Sequence, residues 1–139
     1  MIEQDAQAKK PVLLVVDDEP AIGALLNVAL RRQGFDVLVA ASGQEALDVY
    51  RQRHETVALI LMDVRMPGLS GPETLDFLRQ IKPDVRCCFM TGYSGEYAEK
   101  DLLERGATFI FAKPFILAEL TRILWQLLGY HATPPEAAA

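Results

Sequence analysis

The sequence predicts an α/β domain built on a parallel β-sheet. Three observations carry this reading: short apolar runs without polar alternation, longer amphipathic stretches between them, and strict alternation of the two. A parallel strand is covered on both faces and so reads as a continuous apolar run; the intervening helices supply the crossovers. The 139 residues match one domain, since domains most often hold roughly 100–150 residues. A chain of this size buries about two-thirds of its unfolded surface and needs no disulfide staples.

The elements follow in order. Pro11 to Val16 (PVLLVV) is the first apolar strand. A helix runs from about Pro20, welcome at a first helical position, to Gln33, and Gly34 stops it. Phe35 to Ala40 is the second strand. Ser42 and Glu45 make an S-x-x-E capping box that opens a helix through about Arg53. Thr56 to Met62 (TVALILM) is the third strand. A second capping box, Ser70 with Glu73, opens a helix to about Ile81. Val85 to Met90 is the fourth strand. A helix over roughly Gly95 to Arg105 has a glycine-containing start, which weakens it. Thr108 to Ala112 is the fifth strand and Phe115 to Leu128 the last helix.

Right-handed crossovers leave few ways to wind five such units. A compact option is a five-stranded parallel sheet of order 2-1-3-4-5, a flavodoxin-like (βα)5 three-layer sandwich. The domain spans residues 11–129, with loose segments expected at 1–10 and 130–139.

Composition narrows the function. The net charge of −5 argues against direct binding to nucleic acid, which wants a basic face. The N-terminal ten residues lack the apolar core of a secretory signal, and no apolar run approaches the roughly 18 residues of a membrane helix. Cys87 and Cys88 sit side by side in an apolar segment, as reduced core residues would. A cytoplasmic location is expected.

In the 2-1-3-4-5 order ligands bind outside the carboxyl ends of the strands, at the switch between strands 1 and 3. Strand 1 runs into Asp17-Asp18-Glu19 and strand 3 into Asp63. Strand 4 ends at Thr91 and strand 5 at Lys113-Pro114. A single Asp after a strand is most often a turn or cap residue. Three converging carboxylates repel one another, and a hard divalent cation relieves that repulsion. Magnesium takes oxygen ligands, typically one or two carboxylates plus a phosphate oxygen. The Cys and His ligands that zinc prefers are lacking, and His54 and His131 read as exposed residues of a helix end and the tail. Lys113 is a countercharge for a carboxylate or a phosphoryl group, and Thr91 a hydroxyl donor. Such a constellation can act as an aspartate nucleophile toward phosphorus. Neither a Walker loop nor a Rossmann glycine fingerprint is present in the sequence, which points to a bare phosphoryl group and away from a nucleotide.

The segments VVDDEP (Val15 to Pro20), LILMDVRMPGLSG (Leu59 to Gly71), FMTGY (Phe89 to Tyr93) and GATFIFAKPF (Gly106 to Phe115) closely resemble the receiver domain of bacterial two-component response regulators. They occur in that family's order and spacing. The resemblance implies that Asp63 accepts a phosphoryl group from a histidine on a sensor kinase or phosphotransfer protein. It implies Mg2+ as cofactor, with Asp18 a direct ligand, Asp17 acting through water and the Arg65 backbone carbonyl completing the set. Thr91 and Lys113 contact the phosphoryl oxygens, a cis peptide precedes Pro114, and the domain slowly hydrolyses its own acyl phosphate. Signalling is implied to run through the helix 4–strand 5–helix 5 face to a downstream effector, from a monomer or a weak dimer formed on that face.

One departure stands out. The family usually places an aromatic switch residue three positions before the lysine, where this chain has Ile110, and Phe109 and Phe111 should face the other side of the strand. Met62 and Met66 read as packing residues. Trp125, with Ile116, Leu120, Ile123, Leu124 and Leu127, reads as the apolar stripe of the last helix, or, if partly exposed, as part of a dimer interface. Arg31 and Arg32 complement a helix C-terminus. Two other readings compete. Aspartyl-phosphate phosphotransferases and phosphatases often carry D-x-D, and Arg65 at the second Asp position cannot serve as acid–base. Binding-only relatives typically lose the acceptor or the acidic pair, both present here. The domain either stands alone or belongs to a larger regulator or hybrid kinase, which the stretch Met90 to Ser94 resembles weakly.

Overall fold

The computed structural model describes residues 10–92 and 98–130. Among these residues five strands, β1 (Val12–Val16), β2 (Asp36–Ala40), β3 (Val57–Asp63), β4 (Cys87–Thr91) and β5 (Phe109–Ala112), alternate with five helices. The helices are α1 (Pro20–Arg32), α2 (Gly43–Arg53), α3 (Gly71–Ile81), α4 (Glu99–Glu104) and α5 (Leu117–Leu127). All strand pairings are parallel, as the alternation predicts, and the order is β2-β1-β3-β4-β5, the compact option named above.

The sheet separates two apolar layers, and the pleat sends successive residues to opposite ones. Leu14, Val16, Ile60, Met62, Cys87 and Phe89 join Leu47, Tyr50, Leu75, Leu78 and Leu102 of α2, α3 and α4. Leu13, Val15, Leu59, Leu61, Cys88 and Met90 join Leu26, Leu30, Leu120 and Leu124 of α1 and α5. Both cysteines are free and buried, as expected for a core strand.

The helix starts form as the capping signals require. Ser42 Oγ accepts the Glu45 N–H at 3.0 Å, while the Glu45 carboxylate reaches back to the Ala41 N–H. Ser70 and Glu73 complete a reciprocal box at 3.2 and 2.9 Å. Pro20 opens α1. The C-terminal end of α4 is clasped to α3: Arg79 donates to the carbonyls of Arg105 (2.7 Å) and Gly106 (3.1 Å), and Arg105 pairs with Asp76 at 3.0 Å.

Several details depart from the sequence reading. Asp63 is the last residue of β3 and does not lie beyond it. Helix α4 covers six residues from Glu99; the expected start at Gly95 lies outside the described residues. Ile116 does not belong to the apolar stripe. It is the extended N-cap residue of α5, off the helical face and 67% exposed. Trp125 is only 3% exposed, so it offers nothing to a dimer interface: its ring stacks on Phe35 at 4.3 Å and its indole N–H donates to the Gln33 carbonyl at 3.0 Å. His54 is not simply exposed. It is half-buried beside Tyr50, with Nδ1 3.4 Å from the Glu55 carboxylate; His131 lies outside the described residues. Tyr130, just past the expected domain end, packs edge-on against Trp125.

Candidate phosphoryl and cation site

The carboxyl ends of β1, β3, β4 and β5 deliver the site. Asp17 follows β1, its N–H still donating to Ala40 of β2 at 3.1 Å. The residue is 1% exposed. Its Oδ1 accepts the Glu19 N–H at 2.9 Å, whereas the buried Oδ2 has no hydrogen-bond partner among the described residues. A buried carboxylate oxygen without a hydrogen bond is costly, and the Lys113 ammonium is the positive group that faces it, 3.7 Å away.

Carboxylate oxygens of Asp17, Asp18 and Asp63 all lie within 4.8 Å of one another. Two unit charges at that separation repel by about 1 kcal/mol in bulk water and by about 3–4 kcal/mol at the effective dielectric of a protein surface. Among the described residues, the Lys113 ammonium answers two of them. Lys113 Nζ stands 3.4 Å from Asp63 Oδ1 and 3.7 Å from Asp17 Oδ2. Burial raises the Asp63 pKa above its ordinary value; Lys113 pulls it down, and Asp17 and Asp18 push it up again. The oxygen-only donor set and the clustered charge of Asp17, Asp18 and Asp63 fit a hard divalent cation such as Mg2+.

Lys113 is aimed by its backbone. Its N–H donates to the Thr91 carbonyl at 2.8 Å, extending the β4–β5 ladder past the Thr91–Ala112 pair. The peptide between Lys113 and Pro114 is cis, as the resemblance implies. Thr91 lies at the same edge, but its hydroxyl donates to the Gly92 carbonyl at 2.8 Å and not toward Asp63. Arg65 is exposed in the loop that leaves Asp63. In β5, Ile110 packs with the α2–α3–α4 layer, while Phe109 and Phe111 join the opposite layer and contact each other at 4.8 Å. No aromatic ring of β5 therefore occupies the usual switch side.

Asp17, Asp18, Asp63 and Lys113 are thus brought together as predicted, with Thr91 adjacent. Sequence reasoning missed Gly71, which presses on the backbone of Asp63; the S-x-x-E signal locates the start of α3 but not what it touches. Among the described residues this aspartate trio is the group of His, Cys, Asp or Glu side chains suited to a metal.

The fold and site define a doubly wound α/β domain with an acidic, cation-suited pocket at its switch point. The chain belongs to the response regulator receiver domain family, whose model matches residues 13–124. It is 35% identical over 108 residues to sporulation initiation phosphotransferase F of Bacillus subtilis, covering 78% of this chain and 86% of that protein. It is 33% identical over 116 residues to the sensor kinase CckA of Brucella abortus, covering 84% of this chain but 12% of the kinase. Among solved structures, response regulator TrrA of Thermotoga maritima in complex with Mg2+ and BeF superposes with a TM-score of 0.72 and 32% identity. That match covers 84% of this chain and 98% of the other. The protein is therefore a receiver domain of two-component signalling. No helix among the described residues is long and apolar enough to cross a membrane.

Proposed function

We propose that Asp63 is the phosphoacceptor of this receiver, taking a phosphoryl group from a phosphohistidine of a sensor kinase or phosphotransfer protein in the cytoplasm. The observation that carries the reading is the convergence of Asp17, Asp18, Asp63 and Lys113 at one sheet edge. An Asp63 carboxylate oxygen forms the new bond to phosphorus as the N–P bond breaks, and the electron pair of that bond returns to the donor imidazole. Lys113, already against Asp63 Oδ1, offsets charge on the transferred oxygens. The Thr91 hydroxyl turns from the Gly92 carbonyl to donate to one of them. Asp18, Asp63 and the Arg65 carbonyl would hold Mg2+, with Asp17 assisting through water; the ion would supply charge neutralisation for phosphoryl oxygens. The same site slowly hydrolyses the acyl phosphate.

The output runs through α4, β5 and α5 to an effector protein. Support comes from Thr91, whose carbonyl is bonded to Lys113 at the end of β5, so movement of either is felt by both strands. With Ile110 on the α4 side, coupling relies on Thr91 and Lys113 and not on an aromatic rotamer. The face is also the proposed site of any weak dimer. A second reading places this domain inside a longer regulator or hybrid kinase, favoured by the match to 12% of the kinase CckA.

The deciding measurement is intact mass after incubation with acetyl phosphate. A phosphoryl adduct is expected with magnesium, not with EDTA, and not in Asp63→Asn. An adduct that persists in Asp63→Asn overturns the assignment.

A further inference from the structure

We infer that Gly71 is a positioning residue for phosphoryl acceptance, setting the place of the Asp63 main chain through the absence of a side chain; this rests on Asp63 being the acceptor. A Cβ at Gly71 would lie 2.5 Å from the Asp63 carbonyl oxygen, 2.9 Å from Phe89 Cε1 and 3.1 Å from Val64 Cα. Among the described residues the glycines with positive φ are Gly34, Gly68, Gly106 and Gly129. Gly71 is not among them, so its backbone conformation is open to any residue. Space, not conformation, requires a glycine here.

Neither side of this contact can yield freely. Asp63 is held by its register with Met90, and the next N–H, that of Val64, donates to the Met90 carbonyl at 3.1 Å. On the other side, the Gly71 N–H donates to the Val64 carbonyl at 2.8 Å, and the Ser70–Glu73 box fixes where α3 begins. A methyl group at Gly71 must push the end of β3 away or pull α3 back. The first moves the Asp63 carboxylate relative to Lys113. The second breaks the Gly71–Val64 bond and opens the loop that carries Arg65. Both misplace the reacting carboxylate, and a misplacement near 1 Å costs roughly 10²-fold in rate.

The test compares phosphorylation rates from acetyl phosphate and magnesium, by intact mass, in proteins shown to be folded by circular dichroism. Wild type must form the adduct and Asp63→Asn must not; failure there overturns the acceptor reading itself. Gly71→Ala is expected to lose roughly tenfold or more in rate. Val57→Ala, a core truncation at the far end of β3, is expected to keep the wild-type rate. The double variant Gly71→Ala/Phe89→Leu relieves the ring contact but not the carbonyl contact, and serves also if the single variant does not fold; it is expected to stay slow relative to Phe89→Leu. A Gly71→Ala rate equal to wild type, an equal loss in Val57→Ala, or recovery in the double variant to the Phe89→Leu rate overturns the inference.

Discussion

The Lys113 ammonium stands 3.4 Å from Asp63 Oδ1, joining the ends of β5 and β3. This pair sets the electrostatics of the site. The lysine offsets part of the cost of burying Asp63, yet burial still prevails and leaves that carboxyl above its ordinary pKa.

Lys113→Ala is expected to slow phosphorylation from acetyl phosphate by roughly 10²–10³-fold, the loss typical for one preorganised charge-stabilising donor. Lys113→Arg should recover little, because a planar guanidinium does not replace a compact ammonium between two carboxylates. Initial rates by intact mass at fixed magnesium check this.

The raised pKa of Asp63 makes a stability prediction for the metal-free domain. The folded state holds this proton to higher pH than the unfolded chain does. The group's contribution is therefore fully present below its unfolded value and lost as pH rises through the folded one. In EDTA, Asp63→Asn should be more stable than wild type at neutral pH, and the difference should shrink toward acid. Urea midpoints of both proteins between pH 4 and 8 measure it; a gap that widens toward acid contradicts the sign.

Trp125 ties α5 to the β2 side of the domain through Phe35 and the Gln33 carbonyl. Trp125→Ala should cost about 3–5 kcal/mol, as for other buried aromatic truncations. Trp125→Phe should cost about 1 kcal/mol more than the loss of area explains, through the stranded Gln33 carbonyl. Denaturant titration resolves both.

Removal of the Arg79 side chain releases the carbonyls of Arg105 and Gly106. Arg79→Ala should cost about 1–3 kcal/mol and speed amide exchange in α4, leaving β1 and β3 protected. A uniform change across the sheet would contradict the clasp.

Burial raises the Cys88 thiol to about 12 and the Cys87 thiol well above its usual range. Thiolate is the reactive form, so an aromatic disulfide reagent at pH 8 should find no fast-reacting thiol in the native protein and two after unfolding.

The strands and the acidic site were legible because their signals are local. Parallel strands must be apolar throughout, and the residues that follow them must lie at one edge; Asp17, Asp18, Asp63 and Lys113 needed only the strand order to converge. The opposite faces of Ile110 and of Phe109 and Phe111 followed from the pleat alone. Side-chain environment was less legible. Ile116 and Trp125 share an apolar character, yet one caps a helix in solvent and the other is stacked on Phe35, a residue 90 positions away. The Thr91 hydroxyl donates to the Gly92 carbonyl, a contact that no spacing encodes.

By itself, then, the sequence determined the layer architecture and the chemistry offered at the sheet edge, since hydrophobic periodicity and residue type are properties of short segments. Only the tertiary structure decided that Asp17 Oδ2 lies buried with no hydrogen-bond partner among the described residues, that Lys113 bridges two carboxylates, and that Gly71 abuts the Asp63 carbonyl. Those are distances of a few ångströms between residues far apart in the chain, and they arise from how the layers pack.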